Sequence, residues 1–412
     1  MSPQEVPASA ARLVILTPIE PAATGNGLAM RAELFRSAPS DLEVRTVVVP
    51  VAGNIPTSGS AGAAVVAPDG ARARAGARCL VADAAWRERL ARVGSLPVAA
   101  RVASPGLAED VARVVGGGGP VAVHVMRAYM APLGAAVAER LEAAWATLDL
   151  DEDDAAFAQA AGDLEGAAAY ERVLEVFGPL FDGLAAASKG EAAAMAGRHN
   201  LSVEQIPNAV RLPARSRGPT DPASRRAPSL LFVGNLTYAP NVEAVERLVY
   251  EILPAVRRRL GRSVGVRLVG PHDGRLDTLR AADVEVAGFV PDLAPVYASA
   301  DVVVVPLRSG AGTRIKLLEA FAHGVPVVAS PVAAAGLEVA DGRELLLADD
   351  CERAAAAVET LLSDTALAAR LAGAASRLVR ERYSVEAVIP MIQDFFERAA
   401  SAGRRRAQSG AL

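Results

Sequence analysis

Only two cysteines, Cys79 and Cys351, occur in the 412 residues, far apart and in no ligand-spaced pair. That excludes a disulfide framework and a zinc ribbon, and it fits a reducing, cytoplasmic setting. Lysine is as rare, with Lys189 and Lys316 the only two among 43 basic residues, and asparagine occurs six times. In a chain rich in Ala, Arg and Gly, a scarce residue type carries more information where it stands. No uncharged apolar run approaches the roughly 20 residues that span a bilayer, since the longest, 120–138, is broken by His124 and Arg127. The first residues lack the basic start and hydrophobic run of a secretory signal. An excess of positive charge is missing too: 43 basic against 47 acidic residues leave a formal charge of −4. Without a global positive field nucleic acid is not an expected partner, and any bound anion must be met locally. The sequence holds no Gly-x-Ser-x-Gly elbow, no Gly-x4-Gly-Lys-Ser/Thr loop and no His-Glu-x-x-His helix, which removes three common catalytic chemistries. Gly116-Gly-Gly-Gly-Pro120 precedes a strand and reads as a turn.

What is present suffices for two domains, because 51% of the residues are hydrophobic and the length exceeds that of one typical domain. Strand, glycine loop and helix are predicted over Arg12–Leu16, residues 23–27 and 28–35, a second strand over Glu43–Val51, loop over 53–78, helix over Asp83–Val93 and a strand over Pro120–Val125. Leu133–Arg198 reads as Ala-rich helix interrupted by the acidic run Asp149–Asp154, and Val203–Pro207 as a strand. The acidic run could suit a divalent metal through its carboxylates, but it reads better as a solvated helix start, since aspartates favour first turns. Arg211–Pro228 holds four prolines and five arginines without apolar periodicity, the composition of a linker. Beyond it, short unalternated apolar runs such as Val302–Pro306 alternate with helical patterns. Strands of that kind are covered on both faces, so the sheet is parallel. The predicted organisation is a Rossmann-like domain at 1–210, a linker at 211–228, a second Rossmann-like domain at 229–383, and a tail helix at 384–412 free to cross back to the first.

The stretch from Asp301 to Ser330 is the most informative. A buried strand enters Gly310-Ala-Gly312 and a helix opens near Thr313, so free backbone N–H groups and the positive helix end form a phosphate cradle. Arg314 and Lys316 add cations, while Ile315, Leu318 and Ala322 form the core face. Lys316 and Glu319 are three apart on the other face. A diphosphate at the helix start, with Glu319 one turn further to accept from ribose hydroxyls, suits a nucleotide. An ordinary βα turn with its charges in water remains the plainer alternative.

These residues, with Leu231-Phe-Val-Gly-Asn-Leu236, Val266–Gly270, Val286–Asp292, Asp341-Gly342 and Glu381–Ser384, resemble retaining glycosyltransferases of the GT-B fold in the glycogen-synthase-like superfamily (group 1, family 4 type). The resemblance implies an α/β fold of two Rossmann-like domains facing across a cleft, with a nucleotide diphosphate sugar as donor, UDP- or GDP-linked, and a hydroxyl acceptor. It implies no metal and no further cofactor. The family's pair of glutamates lies eight positions apart; Glu319 matches the second, but Ala311 stands at the first, as in the Gly-x-Gly-Thr-Arg-x-Lys subgroup. The basic pair that often follows the first strand of the second domain is replaced by Asn235 and Pro240, which leaves the charge to Arg314 and Lys316.

On the same resemblance, Gly25 and Gly27 let backbone approach the donor phosphates, Gly234 and Asn235 follow the first strand of the donor domain, Gly288 and Phe289 line the nucleobase, and Gly310, Gly312 and Thr313 form the turn. His124 stands where a histidine meets the reacting sugar, with Arg314 and Lys316 as the catalytic cations; it also reads as a core histidine on an apolar strand. Arg127 beside it could meet an anionic acceptor or stand in solvent. A lipid-linked acceptor would bring the chain to a membrane surface. Two other activities stay open: a regulatory subunit with a decayed donor site, and a sugar-nucleotide epimerase on the same scaffold.

Overall fold

The computed structural model describes residues 12–51, 63–214, 227–310 and 315–409. The chain divides into two compact units, Met1–Pro207 with Val388–Leu412, and Asn208–Ala387. The first is built on β1 (Arg12–Thr17), β2 (Glu43–Val48), β3 (Ala63–Val65), β4 (Val121–Met126), β5 (Trp145–Asp151), β6 (Gly183–Ala186) and β7 (Val203–Gln205), in the order β3-β2-β1-β4-β5-β6-β7. The second is built on β8 (Ser229–Val233), β9 (Gly265–Val269), β10 (Val284–Gly288), β11 (Val302–Val305), β12 (Val327–Ala329) and β13 (Leu346–Leu347), in the order β10-β9-β8-β11-β12-β13. All of these pairings are parallel, as the unalternated Val and Leu runs predict. In each unit the order reverses once, between β1 and β4 and between β8 and β11, and the carboxyl ends of those strands are where a doubly wound sheet opens a crevice.

Three predictions are corrected. Residues 63–65 and 70–78 are not loop, since β3 is a strand and Gly70–Ala82 is a helix with Asp69 capping Ala71 and Arg72; residues 53–62 lie outside the described residues. That helix buries no residue completely, so it leaves no apolar period to find. It docks through glycine instead: a Cβ on Gly76 would fall 2.0 Å from the Gly106 carbonyl oxygen. Second, the stretch Leu133–Arg198 contains β5 and β6 between its helices. Third, the acidic run is not solvated. Asp149 and Asp151 lie on β5, Asp153 caps the helix Asp154–Ala160, and all four aspartates are buried. Among the described residues no group of His, Cys, Asp or Glu stands where it could hold a metal ion.

The last helix, Val385–Ser409, contains Pro390 and from Val388 onward belongs to the first unit. Its Phe395, Phe396 and Ala399 are buried there, and Gly403 passes so close to the turn before β5 that a Cβ would stand 2.2 Å from the Ala144 oxygen. No helix among the described residues is long and apolar enough to cross a membrane.

Candidate functional site

In the second unit, the chain leaves β8 at Gly234 and Asn235 and leaves β11 at residues 306–310, on either side of the point where strand order reverses. Gly234 is glycine for lack of room: a Cβ would stand 2.8 Å from the Lys316 ammonium and 3.1 Å from Nδ2 of Asn241. Gly310 has φ +119°, a conformation L side chains rarely adopt. Ala311, Gly312, Thr313 and Arg314 lie outside the described residues, and the helix is described from Ile315 to Ala322. Its buried residues are Leu317, Leu318, Ala320, Phe321 and Ala322, while Ile315, expected in the core, is half-buried.

Lys316 projects from the first described turn. Its Nζ donates to Oδ1 of Asn241 at 2.6 Å and sits 4.5 Å from the centre of the Phe232 ring, a cation held over an aromatic face. One turn on, Oε2 of Glu319 accepts from the Tyr297 hydroxyl at 3.1 Å. Burial pushes the Glu319 carboxyl up to about 7, against the hydrogen bond from Tyr297 and the charge of Lys316. Tyr297 is itself enclosed, its ring stacked 4.8 Å from that of His323. Thus Gly234, Asn235 and Lys316 lie around Asn241, with Glu319 one turn further along the same helix.

Gly288 ends β10 with φ +73°, its carbonyl accepting from Gly270 N–H, and Phe289 is 67% exposed beyond it. These two lie at the carboxyl edge of the same sheet but two strands from β8. Asn241, Tyr297 and Phe232 are the contacts that the sequence reading missed. Scarcity of asparagine was the available signal for Asn241; Tyr297 and Phe232 carried none.

In the first unit, Asn26 caps the helix Gly27–Ser37 and Gly25 takes φ +99° in the loop after β1. His124 lies on β4 with no exposed surface, stacked 4.2 Å from Phe35 and edge-on to Phe396, with Nδ1 bonded to Thr147 Oγ1 at 2.9 Å. Burial, with Arg31 adding to it, lowers its pKa to about 3, so the ring is neutral. The imidazole is thus enclosed in the core of the first unit. Arg127 is neither solvated nor free: it pairs with Glu152 at 2.7 Å, with Asp151 at 3.3 Å and with Asp154. Behind it Arg31 clamps Asp149 with two bonds of 2.6 Å. Asp153 pairs with Arg198 at 2.5 Å, so three arginines meet the buried acidic run, which is what permits charge inside a core.

The arrangement in the second unit has the parts that a diphosphate ester needs: a glycine opening for close approach, a held ammonium, and a carboxyl one helical turn away. Residues 227–364 match the family model described as "Glycosyl transferases group 1". Over 218 residues the chain is 31% identical to a phosphatidyl-myo-inositol mannosyltransferase of Mycolicibacterium smegmatis, a match covering 50% of this chain and about half, 55%, of that relative. Among solved structures, the fold is similar to that of a sucrose-phosphate synthase from Thermosynechococcus elongatus, 19% identical with a TM-score of 0.68 over 95% of this chain and 100% of that one. It is also similar to Anabaena HepE solved with UDP and glucose, 14% identical with a TM-score of 0.65 over 94% and 99% of the two chains. Those likenesses show the fold, two parallel-sheet α/β domains of the GT-B type.

Proposed function

We propose that the chain is a glycosyltransferase that takes a sugar from a nucleotide diphosphate sugar and passes it, with retention of configuration, to a hydroxyl acceptor. The observation that carries this reading is the meeting of Gly234, Lys316 and Glu319 at the carboxyl ends of β8 and β11, inside the segment that matches the group 1 transferase family. The diphosphate would lie against the glycine opening and the ammonium, and the ribose hydroxyls would donate to Glu319. As the bond from the sugar's C1 to the leaving phosphate oxygen breaks, negative charge grows on the diphosphate. Lys316 would stabilise it, and Arg314 and the turn at 310–312 are proposed to act with it, by charges already in place. The acceptor hydroxyl attacks from the departing side and gives its proton to a diphosphate oxygen. No metal or cofactor is assigned to this scheme. The phosphate chemistry rests on cations supplied by the chain.

Titration of UDP, GDP and their sugars by calorimetry tests the reading. Binding of at least one nucleotide is expected, with Lys316→Ala lowering turnover roughly 100- to 1000-fold, the range for losing one stabilising contact to developing charge. A Lys316→Ala enzyme working at the wild-type rate, or a wild-type protein that binds no nucleotide, refutes it. Conversion of the donor without acceptor, seen by mass spectrometry, would point to epimerase chemistry instead.

A further inference from the structure

We propose that Asn241 is a positioning residue that holds the Lys316 ammonium at the glycine end of β8, so that the cation is in place before the diphosphate arrives; this rests on the transferase reading. Asn241 stands in the first turn of the helix Ala239–Arg247 and is 7% exposed. Its Nδ2 donates to the Asn235 carbonyl at 2.7 Å, and its Oδ1 accepts from Lys316 Nζ at 2.6 Å. A carbonyl can only accept and an ammonium can only donate, so the amide has one orientation. The same side chain therefore ties the loop after β8 to the helix that follows β11, across the reversal in strand order. A lysine stem alone samples many rotamers, and fixing its charge removes a search from each turnover. Phe232 lies 4.5 Å from Nζ, and Gly234 leaves the space in which it sits.

The choice of amide is informative. A carboxylate at 241 would attract the ammonium, but it could not donate to the Asn235 carbonyl and would offset the charge that the leaving diphosphate needs. Asparagine holds the cation and adds no negative charge of its own.

Because Lys189 and Lys316 are the only lysines, limiting acetic anhydride followed by peptide mass spectrometry reads the exposure of Lys316 against an internal standard. In Asn241→Ala the Lys316-to-Lys189 labelling ratio should rise severalfold, and donor turnover should fall by about tenfold or more, with kcat changing more than KM. In Asn241→Asp the ratio should not rise above the wild-type value, because a carboxylate favours the charged, unreactive ammonium, while turnover still falls. An unchanged ratio in Asn241→Ala overturns the proposal, and so does Asn241→Asp working at the wild-type rate. Should the wild type turn over no nucleotide sugar, the transferase reading fails; a raised ratio in Asn241→Ala would then still support the hold on Lys316, so the two failures are distinguishable. If Asn241→Ala does not fold, the Asn241→Asp pair of readings decides.

Discussion

Replacing Glu319 by glutamine should stabilise the protein and weaken its grip on nucleotide at the same time. The carboxyl is raised from 4.5 to about 7 by burial. A carboxyl whose folded pKa exceeds its unfolded one makes the folded state hold the proton more tightly, so stability falls as pH rises from about 4.5 to about 7 and is level above that. At 1.36 kcal/mol per unit, the shift amounts to about 3 kcal/mol of destabilisation at pH 8. The amide oxygen of a glutamine there would accept from Tyr297 as the carboxylate does, and the amide has no charge to desolvate. Glu319→Gln should therefore melt about 6 to 12 °C higher than wild type at pH 8, on the scale expected for a unit of this size. The difference should vanish near pH 4.5, where both side chains are neutral.

The same substitution removes the charged acceptor proposed for the ribose hydroxyls, a hydrogen bond of about 1.5–3 kcal/mol. Nucleotide affinity should fall roughly 10- to 150-fold at pH 8. Wild-type affinity should itself drop as pH falls through about 7, while Glu319→Gln stays flat. Differential scanning fluorimetry and calorimetry from pH 5 to 8.5 measure both effects. A variant that melts no higher than wild type at pH 8 refutes the desolvated carboxylate. One that melts higher but binds as tightly refutes its contact with the ribose. A gain in stability with a loss of binding is the pattern of a group kept for function at a cost to the fold.

Two further predictions concern the first unit. His124 has its pKa depressed from 6.5 to about 3, so the unfolded chain takes the proton first. Its contribution, up to about 5 kcal/mol, is present above pH 6.5 and lost as pH falls through that window. His124→Phe should flatten the acid limb of the stability curve followed by urea denaturation, and an unchanged limb would place the acid sensitivity elsewhere. Gly76→Ala would drive a Cβ to 2.0 Å from the Gly106 oxygen. That overpacking should destabilise the first unit by about 1–3 kcal/mol, whereas unaltered unfolding would mean that the helix Gly70–Ala82 does not dock there.

How much of this was legible in the sequence follows from where each partner lies. The second unit was readable except for the two-residue β13, because runs such as Val302–Val305 need no partner to declare a covered strand. β5 was not. Its residues Trp145, Thr147, Asp149 and Asp151 alternate with Ala146, Leu148 and Leu150, a pattern that puts polar groups on one face and so suggests water. That face is buried all the same, because His124 meets Thr147 and Arg31 meets Asp149 from 118 positions away. A charge is tolerated inside only with such a partner, and nothing within a local window supplies it.

The same distance explains the candidate site. Lys316 and Glu319 share one helix and announced themselves by spacing, but what sets their properties comes from elsewhere in the chain: Asn241 lies 75 positions from Lys316, and Tyr297 lies 22 positions from Glu319. A βα turn with a lysine and a glutamate is common and by itself carries no chemistry. Here an amide fixes the cation beside a glycine and burial raises the carboxyl, the features on which the proposed donor site rests. Asn241→Ala releases the cation and Glu319→Gln removes the carboxylate's charge, and because the proposed scheme sets the two on different parts of a donor, diphosphate and ribose, their losses of kcat/KM should be nearly additive in the double variant. Strong non-additivity would mean that Lys316 and Glu319 sense one another more than either senses a ligand, which is the ordinary paired turn and not a binding site.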